Sequence, residues 1–270
     1  MPSLELSYSS TPGWPFPAST SSPAIAKALR IAILDSSFNP PSRGHGAIAV
    51  HDADSYDAHL LLLSSVNVDK IPKKGETSLD ERRDMMTLLA ERMIRDVDGC
   101  RVVAAGTLAA ATFAEKAPVV LAYLLSRHAG LGLRPTLVFF IGFDTVTRLF
   151  MKKYYQNSED EMERVMSNFF ERDGCEIICS RRALTDVAQN DVADEEEAEL
   201  LTRPFVKRFA DRGRLIFVDM SGTEGISSTK IRNAFRGGST RQETEVMLQG
   251  LAHPEIVNYC LEKGLYRQKS

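Results

Sequence analysis

From residue 30 onward, short wholly apolar runs alternate with stretches of helical spacing. "RIAILDSS", "DAHLLLLSS", "CRVVAA", "PTLVFFIGFD", "CEIICS" and "RLIFVDMS" are of strand length, and most do not skip alternate positions. Strands covered on both faces read this way. Between them, "GHGAIAVHDADSY" predicts a helix. "SLDERRDMMTLLAERMIRDV" sets Leu79, Met86, Leu89, Met93 and Val97 at helical spacing, and Ser78 stands three residues before Glu81 as a capping box. The methionines of that helix, Met85, Met86 and Met93, read as core packing. "GTLAAATFAEKAPVVLAYLLSRHAG" predicts a helix interrupted near Pro118, "DTVTRLFM" a short helix, and "EDEMERVMSNFFERD" an amphipathic one. The polar, acidic "ALTDVAQNDVADEEEAEL" reads as an exposed insertion, and "STKIRNAFRGG", "RQETEVMLQG" and "HPEIVNYCLEKGLY" make the end of the chain helical.

Apolar strands alternating with helices predict an α/β fold: a Rossmann-like, doubly wound parallel sheet with a helical C-terminal end. No internal repeat interrupts it, so residues 30–270 read as one domain. Residues 1–29 are rich in Ser, Pro and Thr, and much of this arm is expected to lack regular structure, with Trp14 and Phe16 available as anchors. In such sheets ligands bind beyond the carboxyl ends of the strands, so site residues are sought just after strands.

Composition narrows the function without choosing it. The chain has 270 residues and a formal charge of −3, which gives no sequence-wide attraction to nucleic acid or an acidic membrane. No apolar run approaches the roughly 18 to 20 residues that span a bilayer. The N-terminus lacks a basic-then-apolar leader pattern. Cys100, Cys175, Cys179 and Cys260 are too scattered for a disulfide framework and read as reduced, buried thiols. His51, His59, His128 and His253 show no metal-ligand spacing with them, so no structural metal is expected. The expectation is a soluble intracellular protein, cytoplasmic or nuclear, compatible with a homo-oligomer.

Three segments that follow strands carry the candidate chemistry. In "DSSFNPPSRGHG", Pro40 and Pro41 stiffen a turn, Gly44 and Gly46 allow close backbone approach, and His45 lies near the first turn of a helix, where an anion is favoured. A Pro-stiffened loop with a surface histidine has the same composition. In "SGTEGISSTKIRNAF", Ser227, Ser228 and Thr229 open a helix, with Lys230 and Arg232 within a turn. That is a polyphosphate clamp or an ordinary N-cap with solvated basic residues. In "FFIGFD", Gly142 permits close approach, and Asp144 either accepts from a ribose hydroxyl or caps the next helix.

Together the segments resemble a known family. "SSFNPPSRGH" is similar to the nucleotidylyltransferase signature, a Gly-Ser/Thr-Phe-Asn/Asp-Pro turn leading into His-x-Gly-His, and "GISSTKIR" is similar to its Ile-Ser-Ser-Thr-x-Ile-Arg element. The Asn in "SFNPP", "GFD" after a central strand, "KKGETSLDERRDMMTLLA" and the final "HPEIVNYCLEKGLY" resemble the nicotinamide/nicotinate mononucleotide adenylyltransferase branch. The resemblance spans about residues 31–267 and implies the nucleotidylyltransferase fold. Two positions depart from the pattern: Ser36 replaces a glycine, and Ser42 replaces the first histidine.

The resemblance implies transfer of the adenylyl group of ATP, with Mg²⁺, to a nicotinamide or nicotinate mononucleotide, giving NAD or its deamido form and pyrophosphate. It implies His45 and Arg232 as catalytic. Ser36, Ser37, Phe38, Ser42, Gly142, Asp144, Ser227, Ser228, Thr229 and Lys230 join them in ATP and dinucleotide binding, and Lys73, Lys74 and Arg181 fall near the mononucleotide. Two other readings stay open: transfer to another phosphorylated acceptor, and a nucleotide-binding regulator with little transferase activity.

Overall fold

A computed structural model describes residues 2–18, 28–65, 77–181, 187–220, 225–238 and 240–267, with the backbone alone over 187–194. Seven strands form one sheet: β1 (Glu5–Ser9), β2 (Ala28–Asp35), β3 (Ala58–Ser64), β4 (Val103–Leu108), β5 (Arg134–Gly142), β6 (Glu176–Ser180) and β7 (Leu215–Val218). Their order is β1-β4-β3-β2-β5-β6-β7. The six strands from β2 onward run parallel, so the chain winds outward from β2 in one direction to β4 and then from β5 in the other to β7. The order reverses between β2 and β5. Crevices at such switch points lie beyond the strands' carboxyl ends.

The wholly apolar strands follow from burial on both faces. Alternate residues of a strand point to opposite sides of the sheet. Ile31, Ile33, Leu60, Leu62, Phe139 and Ile141 enter one core, which includes Ala117, Val120 and Leu124 of α3 (Phe113–Arg127). Ala32, Leu34, Leu61, Leu63, Val138 and Phe140 enter the other. That second core holds Met85, Met86, Leu89 and Met93 of α2 (Leu79–Asp96) and Ile231 and Phe235 of α8 (Ser228–Gly237). It is closed by Ile256 and Cys260 of α10 (Pro254–Glu262). The predicted capping box of α2 is present, with Ser78 Oγ accepting from Glu81 N at 3.1 Å.

Several expectations change. The N-terminal arm supplies β1, which pairs antiparallel with β4. Gly106 in β4 makes this possible, because a Cβ there would stand 2.8 Å from the Glu5 carbonyl oxygen. Trp14 and Phe16 do anchor the arm: Trp14 is 1% exposed, and Phe16 meets the His128 ring edge-on at 5.0 Å. Pro118 does not interrupt α3. It lies on the exposed side of the second turn, where water can serve the carbonyl left without its N–H. The acidic segment takes the form of helix α6 (Val187–Thr202), which leads into α7 (Pro204–Asp211), an amphipathic helix seated on Val206 and Phe209. The first motif helix is short: α1 covers Arg43–Ala49, and only a 3₁₀ turn follows. α4 (Phe143–Leu149), α5 (Glu159–Ser167) and α9 (Arg241–Leu248) complete the helices in the described residues.

All four cysteines are free and buried. Burial pushes the Cys100 and Cys260 thiols up to about 12. Among the described residues no helix is long and apolar enough to cross a membrane. His59 is the outlier of β3. It is 2% exposed, its two ring nitrogens have no hydrogen-bond partner among the described residues, and burial lowers its pKa to about 4. A histidine whose folded pKa lies below its unfolded value costs stability as pH falls from the unfolded value toward the folded one. Replacing an unpaired buried polar group by an apolar one of similar size relieves that cost. His59→Leu should therefore match or exceed the parent at pH 7.5, by up to about 1 kcal/mol. It should also lose less stability on going to pH 5. Urea unfolding at the two pH values tests this; an unchanged difference between them would show that His59 does not titrate abnormally.

Candidate active site

β2 ends at Asp35, and the two residues at its carboxyl edge turn to opposite sides of the sheet. Asp35 pairs with Lys116 of α3, both side chains being 7% exposed or less, and the Lys116 ammonium also lies 4.9 Å from the Phe113 ring centroid. Burial outweighs the pull of Lys116 and pushes the Asp35 carboxyl up. Ser36 continues the ladder, its N–H donating to the Leu62 carbonyl at 3.1 Å, and its Oγ lies 2.8 Å from His45 Nε2.

His45 is held from its other side by the N-cap of α1. Ser42 Oγ accepts from the His45 N–H at 3.2 Å, and the Ser42 N–H donates to His45 Nδ1 at 3.0 Å. This is a capping box in which an imidazole replaces the usual Glu or Gln. A backbone N–H can only donate, so Nδ1 is the acceptor and a neutral ring carries its hydrogen on Nε2. Desolvation lowers the His45 pKa to about 4, so the ring is neutral at physiological pH. Phe38, fully buried, packs its ring 5.4 Å from the imidazole and takes a left-handed backbone with φ 44°. That region is unfavourable for a bulky side chain and persists where the surroundings over-determine it. Ser37, half-buried, joins Ser36 to Phe38.

The second motif closes onto the first. Arg232 donates to the Asn39 carbonyl oxygen at 2.6 Å and to Thr229 Oγ1 at 2.9 Å, and Ser228 Oγ donates to the Pro40 carbonyl at 2.7 Å. Ser227 caps α8 by accepting from Lys230 N at 3.2 Å. Lys230 and Thr229 are exposed. A Cβ on Gly44 would make only ordinary contacts, the nearest at 3.5 Å to Ser42 Oγ, whereas one on Gly46 would crowd His253 Nε2 at 3.1 Å, so packing within the chain asks for glycine at 46 alone.

The sheet carries the third segment to the same edge. Leu34 of β2 is in register with Phe140 of β5, two residues before Gly142. A Cβ on Gly142 would meet nothing within 4 Å, so packing within the chain does not demand glycine there. Asp144, exposed in the first turn of α4, accepts through its backbone carbonyl from Arg148 Nε at 3.0 Å. Arg181 follows β6, one strand further out, and its guanidinium turns to carboxylates. Glu197 of α6 takes it bidentately at 2.7 and 2.8 Å, and Asp219 takes a third N–H at 3.3 Å. Lys73 and Lys74 lie outside the described residues.

Sequence reasoning missed a buried polar group. Asn39 Oδ1 accepts from Thr77 Oγ1 at 2.6 Å and from the Tyr266 hydroxyl at 2.8 Å, while Arg82 Nε donates to Thr77 Oγ1 at 3.2 Å. The Asn-Pro turn is thereby tied to the start of α2 and to the segment after α10. The Asp35–Lys116 pair was missed as well. Its signal was present, since Lys116 falls on the apolar stripe of Phe113, Ala117, Val120 and Leu124.

The cytidylyltransferase-like family model matches residues 33–234, which run from the middle of β2 through most of α8. The chain belongs to the cytidylyltransferase-like family. Both motif segments of the site fall inside that match. A Schizosaccharomyces pombe protein carrying the provisional name nicotinamide mononucleotide adenylyltransferase is 27% identical over 242 residues, 88% of this chain and 87% of its own length. Among solved structures, a Plasmodium falciparum nicotinic acid mononucleotide adenylyltransferase complexed with NaAD aligns at 16% identity with a TM-score of 0.50, over 88% of this chain and 97% of that one. At that identity the likeness is one of fold, and it agrees with the nucleotidylyltransferase architecture.

Arg232 braces the two motifs, so removing its guanidinium should be felt in stability. Arg232→Met leaves the carbonyl of buried Asn39 without its donor, and should cost about 1–3 kcal/mol. Urea midpoints of the two proteins measure it; identical midpoints at equal slope would mean that the brace does not hold the motifs together.

Proposed function

We propose that this protein transfers the adenylyl group of ATP to nicotinamide or nicotinate mononucleotide, forming NAD or its deamido form with release of pyrophosphate. The observation that carries the reading is the junction of the two motifs: "SSFNPPSRGH" and "SSTKIR" lie hydrogen-bonded together beside the β2/β5 switch point. The family match and the named relatives support the same reaction class.

The chemistry asks for positioning more than for proton transfer. A mononucleotide 5′-phosphate is an anion at neutral pH and attacks the α-phosphorus of ATP directly. The bond from that phosphorus to the bridging oxygen breaks, and pyrophosphate leaves with the electron pair. No general base or protein nucleophile is needed. What the protein supplies is two anions held in line and donors aimed at the charge that develops.

His45 suits that role because its ring is neutral and its tautomer is fixed, so it directs an N–H toward the site, onto Ser36 Oγ 2.8 Å away, without changing its protonation. Arg232 uses two of its five N–H groups on Asn39 and Thr229 and keeps the others for phosphate oxygens. The N-terminus of α8, with Ser227, Ser228, Thr229 and Lys230, adds backbone donors and positive charge at the same edge. Ser37 and Phe38 lend backbone groups to the dinucleotide, Ser42 holds His45 as its N-cap, and Gly142 and Asp144 face the adenosine ribose. Arg181 reaches a substrate phosphate only by exchanging a carboxylate partner. The resemblance assigns Lys73 or Lys74, which lie outside the described residues, to the mononucleotide phosphate.

Magnesium enters with ATP. It is expected to come as the complex with the ATP phosphates, the usual form in which Mg²⁺ serves phosphoryl-type transfer. The protein acts in the cytoplasm or nucleus, which fits four free thiols.

Two variants test the reading. His45→Ala should lower kcat for dinucleotide formation roughly 10²- to 10³-fold, the effect of removing one preorganised donor, in a protein that still unfolds cooperatively but melts somewhat lower because the capping box is lost. A folded variant with near-normal turnover would rule out this mechanism. Gly142→Ala should keep the parent's melting temperature to within a degree or two, because its Cβ meets no protein atom within 4 Å, yet weaken ATP binding measured by calorimetry. Unaltered affinity would show that no ligand fills the space beside Gly142.

A further inference from the structure

We propose that the hydroxyl of Ser36 is the phosphate-facing donor of the site and that His45 acts through it. The inference rests on the reading of the site as a nucleotide clamp and deepens it.

The direction of each hydrogen bond follows from the first. The Ser42 N–H, which can only donate, gives its hydrogen to His45 Nδ1 at 3.0 Å, so the Ser42 hydroxyl 2.7 Å from the same nitrogen also acts as donor to it and the neutral ring carries its hydrogen on Nε2. Ser36 Oγ, 2.8 Å from Nε2, is therefore the acceptor of that N–H, and its own O–H hydrogen points elsewhere. An incoming phosphate oxygen meets this O–H before it meets the imidazole. A hydroxyl that accepts one hydrogen bond donates the next more strongly, so the ring polarises the group in front of it. The order is Ser42 N–H to Nδ1, Nε2–H to Ser36 Oγ, and Ser36 O–H to the phosphate, and no proton changes owner.

The backbone places Ser36 firmly. Its N–H is fixed to Leu62 at 3.1 Å, and the preceding Asp35 is held by Lys116 from the other side of the sheet. The side chain therefore projects from the end of a central strand rather than from a loose loop. The glycine that the resemblance expects at this position would leave Nε2–H facing the ligand directly. This chain has interposed a hydroxyl.

The test uses the wild type, Ser36→Ala, Ser36→Gly and Ser36→Thr. ATP affinity is measured by calorimetry with Mg²⁺, and pyrophosphate release is followed with nicotinamide and nicotinate mononucleotides. Melting temperatures confirm folding. Ser36→Ala puts a methyl group where the donor was and should lose about 10- to 100-fold in kcat/KM for ATP, the usual cost of a charge-assisted hydrogen bond, with weaker ATP binding. Ser36→Thr, which keeps the hydroxyl, should retain most of both. Ser36→Gly should fall between them, since the ligand then reaches Nε2–H. Values at or above wild type for Ser36→Ala in both affinity and kcat/KM would overturn the proposal and make the hydroxyl a plug. If the wild type releases no pyrophosphate with either mononucleotide, the transferase reading fails and ATP affinity decides about Ser36 alone. Weaker binding in Ala with binding kept in Thr supports the proposal, and equal or tighter binding in Ala overturns it. A wild type that does not bind ATP would overturn both.

Discussion

The hydrogen bond from Arg232 to the Asn39 carbonyl joins residues 193 positions apart, and the site depends on that closure. The turn after β2 and the start of α8 are each short segments that would otherwise be set only by their own strand and helix. Arg232 and Ser228 lock the two together through backbone carbonyls, so the contact does not depend on which side chains the turn carries. Thr77 and Tyr266 then fix the Asn39 amide from α2 and from the segment after α10. Three parts of the chain, distant in sequence, thereby hold one turn. A turn held from so many sides can keep Phe38 in a backbone conformation that an isolated loop would abandon.

The sheet contributes a second constraint. Because β2 is buried on both faces, its last residues must divide between the two sides. Asp35 goes to the α3 side and meets Lys116; Ser36 goes to the α1 side and meets His45. A buried pair of this kind adds little net stability over an apolar pair, yet losing one partner leaves a costly buried charge. The pair therefore works as a register pin. It fixes where the strand stops, and with it the distance between the hydroxyl of Ser36 and the imidazole.

Much of this was legible in the residues themselves. Apolar runs without alternation predicted parallel strands, and the position of three polar segments after strands predicted the edge at which a site forms. What escaped reading were partnerships between distant residues. Nothing local to Asn39 says that Thr77 and Tyr266 will take its amide oxygen, and nothing near Gly46 says that His253 will need the space. The composition of residues 1–29 predicted irregular backbone, but strand β1 draws its order from a neighbour, namely the open edge of β4 and the missing side chain at Gly106. The charge of the acidic stretch spoke of exposure but not of its helical backbone, nor of Glu197 finding Arg181.

The antiparallel strand at the start of the chain has a consequence for handling the protein. Without β1, β4 would present a row of unpaired N–H and C=O groups, with a glycine in its middle that lets another backbone lie close. Such an edge is a template for any extended segment, including one from a second molecule. Residues 5–9 thus act as a resident guard strand. A recombinant form trimmed to begin at β2 would keep every residue of the nucleotide clamp and still be prone to sticking to itself.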